Sequence, residues 1–309
     1  MKIKHLTATI AAALLLAVAG CAGGSDPLGN QSAAPSASGS QDQTPIVVGS
    51  ANFTGSQVLG ELYAQALKAK GLNASAKLNI GSREVYLKAL EEGTISVVPE
   101  YTGNLLINYD KDTKAKTAEE VEQALTEALP EGFKLFTPSA AADQDVYVVT
   151  KAYADENGLA SLADLKKISA GAVLGGPSEL ATRAYGPEGL EKIYGAKFKE
   201  FKPYDAPAVK ARDLNDNKIQ VATFFTTESV ITENGYVQLA DPESMILPQN
   251  VVPLVTDAVA GNAEAKAALD AVQAALTTED LTAMIKRVDT DHDDPGQAAG
   301  DWLKEKGLA

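Results

Sequence analysis

The chain reads as an α/β protein of two lobes joined by two crossover segments, and three features of its pattern lead there. Short apolar runs alternate with helix-period segments from Ile46 onward, the alternation restarts at Tyr147 after a break near Pro138, and a last strand is followed only by helices. Strands alternating with helices make an open α/β sheet, so two such series imply two sheets.

The first series opens with a buried strand at 46–50. A helix follows over 55–70, where Val58, Leu59, Leu62, Ala66 and Leu67 share one face. Strand 74–78, a helix over 82–92 with Ser82 as candidate cap, and strand 95–98 continue the alternation. A helix after Thr117 and a strand at 133–136 carry it to Pro138. The second series comprises strand 147–150, helix 162–166, strand 172–174, helix 187–194, a strand near Phe198, helix 207–214 and strand 220–224. Strand 251–255 and helices over 263–276, 279–288 and 296–306 form the tail, with Gly307 as a C-terminal stop. Nothing after Val255 begins a third series, so the tail is expected to complete the first lobe. Lobe 1 is then 45–138 plus 252–309 and lobe 2 is 139–251, with crossings near 139–145 and 247–252. Two crossings make a hinge, and the cleft between hinged lobes suits a small ligand.

The N-terminus points to export. Lys2 and Lys4 precede an apolar run over 6–19, shorter than the ~20 residues that span a bilayer. The run ends at Val18-Ala19-Gly20-Cys21, so residues 1–20 read as a signal peptide cleaved before Cys21, the only cysteine. A lone thiol is unusual in an exported chain, and acylation of Cys21 removes the anomaly. The arrangement resembles the bacterial lipoprotein lipobox, which implies anchoring at the extracytoplasmic face of the cell membrane. Residues 21–44, the lipid-bearing cysteine and a stretch with almost nothing large and apolar, read as a flexible tether.

Composition removes several functions. Loss of Lys2 and Lys4 takes the 27 basic residues to 25 against 41 acidic ones, a formal charge of −16 that disfavours nucleic acid. Only His292 remains as a histidine, so Ser-His-Asp, Cys-His and Cys/His zinc chemistry lack their residues. The acids from Asp289 to Asp294 alternate like a calcium loop, but the positions that want glycine and glutamate hold Asp294 and Gly300. They read instead as an acidic loop capping the helix near Pro295. No metal and no cofactor is expected.

Four blocks carry a resemblance: Gly49-Ser50-Ala51-Asn52-Phe53-Thr54, Pro99-Glu100-Tyr101-Thr102-Gly103, Gly189-Leu190-Glu191-Lys192-Ile193-Tyr194-Gly195 and Phe225-Thr226-Thr227-Glu228. In this order they resemble the glycine betaine/choline-type substrate-binding proteins of osmoprotectant ABC importers. The resemblance implies a type II periplasmic-binding fold closing on a quaternary ammonium solute, a permease and its ATPase as partners, a monomer, and no enzymatic step. A trimethylammonium group has no N–H to donate, so aromatic faces must hold it.

By the same resemblance, Tyr101 corresponds to a cage tyrosine and Arg183 to an arginine facing the ligand's acidic end. Tyr147 and one of Phe224 and Phe225 supply further walls, and the other phenylalanine packs beneath its sheet. Asn52 and Thr54 offer polar contacts from a strand-to-helix loop. Relatives that bind betaine often carry lysine where Ala51 stands and threonine where Asn104 stands, and some carry tyrosine where Gln249 stands, departures that imply an incomplete cage and a less cationic carboxylate pocket. Tyr101 also stands at a possible helix start, and Arg183 could form an interlobe ion pair. Three alternatives stay open: another small polar metabolite in the same fold, a surface-anchored hydrolase using Glu100, Glu179 or Asp205, and a ligand-sensing module that only its membrane partner would distinguish from an import subunit.

Overall fold

The computed structural model describes residues 44–309, so the readings for the signal peptide, Cys21 and nearly all of the tether lie outside the described residues. The first half runs β1 (Ile46–Gly49), α1 (Thr54–Ala69), β2 (Ala74–Lys77), α2 (Arg83–Glu91), β3 (Val97–Tyr101), α3 (Thr102–Tyr109), α4 (Ala118–Ala128) and β4 (Phe133–Leu135). Then come β5 (Asp145–Val149), α5 (Lys151–Asn157), β6 (Val173–Gly176), α6 (Pro187–Tyr194), β7 (Glu200–Pro203), α7 (Pro207–Asn215), β8 (Val221–Phe225), α8 (Val230–Glu233) and β9 (Val237–Gln238). Leu162–Lys167 and Ser178–Thr182 are short 3-10 helices. The tail is β10 (Val251–Thr256), α9 (Asp257–Ala260), α10 (Ala263–Ala275), α11 (Thr278–Asp289) and α12 (Pro295–Glu305).

The strands form two mixed sheets, in the orders β2-β1-β3-β10-β4 and β7-β6-β8-β5-β9. In the first, β1 is parallel to β2 and β3, and β10 runs antiparallel between β3 and β4. In the second, β6 is parallel to β7 and β8, and β5 runs antiparallel between β8 and β9. One face of the first sheet is covered by α1 with the tail helices, through Leu59, Leu62, Leu67, Leu269, Val272 and Trp302. The tail is also tied by polar groups: the Tyr63 hydroxyl donates to Gln273 Oε1 at 3.0 Å, and Gln273 Nε2 donates to the Val251 carbonyl at 2.8 Å.

Helix ends follow local chemistry. Thr117 and Glu120 form a capping box for α4, and Thr277 and Asp280 one for α11. Asp294 caps α12 by accepting from the Gly296 and Gln297 N–H groups, so the acidic loop does cap the helix that begins at Pro295. Gly307, at φ +71°, ends α12 in a Schellman turn, with Leu308 N–H on Leu303 O at 2.8 Å. Ser82 occupies the cap position of α2, but its hydroxyl donates to Glu84 Oε2 at 2.7 Å instead of capping backbone.

Some boundaries differ from the sequence reading. β3 continues through Pro99 to Tyr101, because Pro99 lies directly opposite Pro253 of β10 and the two missing donors fall on one rung. The sequence reading placed no helix over α5, α8 or α9, and of α3 it gave only a possible start at Tyr101, which is the residue preceding that helix.

The segments that pass between the sheets run antiparallel to each other. Asp143 N–H donates to Gln249 O at 3.1 Å and Val251 N–H to Ala141 O at 3.0 Å, around a bridge between Ala142 and Asn250. Helix α3 packs against this pair through Gly103, where a β-carbon would lie 2.6 Å from Pro248 O and 2.7 Å from Leu247 Cβ. Gly103→Ala is therefore expected to cost about 1–3 kcal/mol of stability, as overpacking typically does. Urea denaturation with an unchanged slope and a lower midpoint would register it.

Candidate functional site

Between the two sheets lies a cavity of about 400 Å³. The loop from β1 to α1 forms one wall, and its shape is fixed by small polar groups. Ser50 Oγ accepts from Asn79 N–H at 2.9 Å and Ser56 Oγ accepts from Ala51 N–H at 2.9 Å. This pinned loop presents Phe53, whose ring centroid is 6.0 Å from Tyr101 at the end of β3 and 4.9 Å from Phe225 at the end of β8. The three rings thus come from both sheets, and Tyr86, Tyr185 and Tyr204 extend the aromatic lining.

Behind Tyr101 sits a fully satisfied carboxylate. Arg83 Nε and Nη2 donate to the two oxygens of Glu100 at 2.8 Å each, the Tyr86 hydroxyl donates to Oε1 at 2.7 Å, and Tyr101 N–H to Oε2 at 2.9 Å. Burial works against the charge of Arg83, and the Glu100 carboxylate outweighs it, holding the guanidinium protonated. Arg183 is similarly engaged. Its Nη1 and Nη2 lie 2.5 and 3.3 Å from the carboxylate of Glu84 on α2, and this bond lowers Glu84 to about 2.

The remaining charges are less evenly matched. Asp143 is buried and pushed up to about 7 by that burial, against the pull of the Thr227 hydroxyl at 2.7 Å. Burial also raises Glu228 to about 7, and its Oε2 is sealed without a hydrogen-bond partner. Asp145 is raised by burial while accepting from Asn104 Nδ2 at 3.0 Å. Lys210, lowered by burial, lies with Nζ 4.2 Å from the centroid of Phe224.

Of the residues nominated from sequence, Tyr101, Arg183, Phe224, Phe225, Asn52, Thr54 and Asn104 line the cavity. Asn52 is exposed at its rim, and the Thr54 hydroxyl donates to Asp289 at 2.6 Å. Phe225 meets Phe53, whereas Phe224 packs with Tyr236 in the core of the second sheet. Two nominations need correction. Tyr147 is buried away from the cavity with its hydroxyl on Tyr185 O at 2.5 Å, so Tyr185 holds the wall position and Tyr147 supports it. Gln249 is also outside the lining. Its Oε1 accepts from Asn104 N–H and its Nε2 donates to Asn104 Oδ1, both at 2.9 Å, which orients Asn104 toward Asp145.

Sequence reading missed Phe53, Arg83, Asp143, Lys210 and Glu228 as lining residues. Phe53 and Glu228 stand inside two of the quoted blocks, so the signal was adjacent; Asp143 lies in the crossing, where no period marks a side chain. Among the described residues, no group of three or more His, Cys, Asp or Glu could hold a metal ion. None of the described helices is long and apolar enough to cross a membrane.

Two mixed sheets linked by a paired double crossing, with an aromatic and charged cavity between them, define a two-lobed solute-binding protein. The chain belongs to the OpuAC family, the substrate-binding domains of ABC-type glycine betaine transport systems, which it matches over residues 44–305. It is 27% identical over 281 residues to the glycine betaine-binding protein YehZ of Escherichia coli, covering 86% of this chain and 92% of that one. A glycine-betaine-binding protein of Pseudomonas aeruginosa is 23% identical over 285 residues, 88% of this chain and 91% of its own. The fold is similar to that of a glycine betaine/carnitine/choline ABC transporter protein, with a TM-score of 0.68 at 21% identity over 85% of this chain and 99% of the other. Family membership makes the chain the substrate-binding component of an ABC transporter, a class that captures solutes for a permease and ATPase without transforming them.

The Glu100 cluster can be tested directly. Glu100→Gln would leave Arg83 buried without its counter-charge, and breaking such a pair from one side costs about 3–5 kcal/mol. Chemical denaturation should show a loss in this range.

Proposed function

We propose that this protein captures a small quaternary ammonium solute in the cavity and passes it unaltered to its permease. The observation that carries this reading is the cluster of Phe53, Tyr101 and Phe225, three rings from both sheets meeting at one cavity. A methylated ammonium cannot donate a hydrogen bond, so ring faces are the groups that hold it, and desolvation strengthens each contact. Phe53 and Tyr101 belong to lobe 1, residues 45–138 plus 252–309, and Phe225 to lobe 2, residues 139–251. Closure about the two crossings brings them onto one ligand. Arg183 serves closure by reaching Glu84 across the mouth of the cavity. Asn104 supports the polar end through Asp145. Relatives named for glycine betaine support the solute class. In this reading Cys21 carries the lipid that holds a monomer at the extracytoplasmic face, within reach of the permease.

Calorimetric titration of the purified protein with glycine betaine, choline and carnitine tests the reading. Phe225→Ala is expected to weaken the tightest of them about 2- to 30-fold, the equivalent of one contact of ~0.5–2 kcal/mol. Silence toward every methylated ammonium compound at millimolar concentration would sink it.

A further inference from the structure

Six carboxylates line the cavity, Asp143, Asp145, Glu179, Asp205, Glu228 and Asp289, against three cations, Arg83, Arg183 and Lys210. Two of the cations are already committed to carboxylates outside the lining: Arg83 to Glu100 and Arg183 to Glu84. Among the described residues the Lys210 ammonium forms no hydrogen bond or ion pair and lies over the ring of Phe224. The lining therefore carries a negative excess that its own cations do not answer. An isolated buried charge is costly unless it finds a partner, so such an excess favours a cationic guest.

The unpartnered polar atoms point the same way. Glu228 Oε2, Tyr101 Oη and Thr223 Oγ1 are all sealed from solvent without a hydrogen-bond partner, and all three residues line the cavity. Asp143 Oδ2 and Tyr101 Oη flank Gly55, 3.4 and 3.5 Å from where its β-carbon would be. A carboxylate oxygen can only accept while ionised, and the two hydroxyls can do either. A ligand bearing a hydroxyl can donate to this set. A ligand carboxylate would be set against Glu228 and Asp143, with Lys210 as the sole uncommitted cation of the lining.

Resting on the quaternary ammonium reading, we propose that the cavity selects a net-cationic quaternary ammonium alcohol over a zwitterion with the same head group, with Glu228 and Asp143 as the discriminating residues. Glu228 faces Lys210 from α7, Asp289 from α11 and Asp145 from β5; Asp143 faces Glu228, Asp145 and the Thr227 hydroxyl. Burial raises both acids to about 7, so they lose their protons as pH rises through neutrality. A cation binds better to the ionised forms and a ligand carboxylate binds better to the neutral ones. The two ligand classes must then respond to pH with opposite signs.

Choline and glycine betaine share the trimethylammonium head and differ in hydroxyl against carboxylate, which makes them the probes. Calorimetry on the purified protein should give choline the tighter binding by about tenfold or more at about pH 8. Choline affinity should rise between about pH 6 and about pH 8 while betaine affinity falls. Glu228→Gln and Asp143→Asn, each checked by thermal melting, should weaken choline and leave betaine unchanged or improved. Betaine binding as tightly as choline at the higher pH, with both bound, overturns this inference and leaves the quaternary ammonium reading standing. An unchanged choline-to-betaine ratio in both folded variants overturns the assignment to Glu228 and Asp143. If one variant does not fold, the other variant and the opposed pH trends of the native protein decide. Binding of neither probe removes the underlying reading and this inference with it.

Discussion

The chain passes between its two sheets twice, and the two passages must lie side by side. That constraint organises the rest. β10 enters the first sheet between β3 and β4, alongside the chain departing after β4, and runs antiparallel to both strands. The paired passages then form a floor on which backbone groups satisfy one another, Asp143 with Gln249 and Ala141 with Val251. Side chains leave this floor toward different neighbours, with Ala141 and Val251 entering the core beneath α1. Asp143 goes to the cavity, and Gln249 goes to Asn104.

Two kinds of buried carboxylate follow from this geometry, and they behave differently. Glu100 receives Arg83, the Tyr86 hydroxyl and a backbone N–H, so every oxygen has charged or strongly polar company. Such a satisfied network rigidifies the wall that carries Tyr101. Glu228 has one oxygen facing nothing, and Asp143 has help chiefly at Oδ1 from Thr227. Unfinished satisfaction of this kind is rare in folded proteins and needs an explanation. Here it coincides with an aromatic cluster at the same cavity, which places the deficit where a guest would sit.

Much of the fold was legible because burial writes itself into period. The run Ile-Val-Val-Gly and the final strand up to Val255 are apolar along their length, as strands covered on both faces must be. Helix α6 was readable to the residue, since Pro187 starts it and Gly195 stops it in a left-handed turn. The short helices were not. α5 buries only Ala154, and α9 only Val259, so neither leaves a stripe to find. At the site, residue type was readable and direction was not. β5 is buried throughout, so alternation could not tell whether Tyr147 faced the cavity or the core behind it. Phe53 escaped because it stands in a loop before a helix, where no period exists to single it out. The pairing of Asn104 with Gln249 joins positions 145 apart in sequence, a contact that only the paired crossings bring about.

A binding protein of this kind does its work by changing a population, and a ligand can shift that population only through contacts made better in one state than the other. The ring contact between Phe53 and Phe225 joins the two sheets, so a guest seated among these rings touches both at once. The Arg183–Glu84 pair also links the two sides, but it needs no ligand, and Glu84 is largely exposed, so solvent screens it heavily. The pair can therefore steady closure without dictating it. A strong ligand-independent latch would leave the ligand little to change, because moving a two-state balance from mostly open to mostly closed takes about 5.5 kcal/mol of differential affinity. Placing the weak link at the exposed mouth and the unsatisfied groups in the sealed interior leaves that difference to the guest.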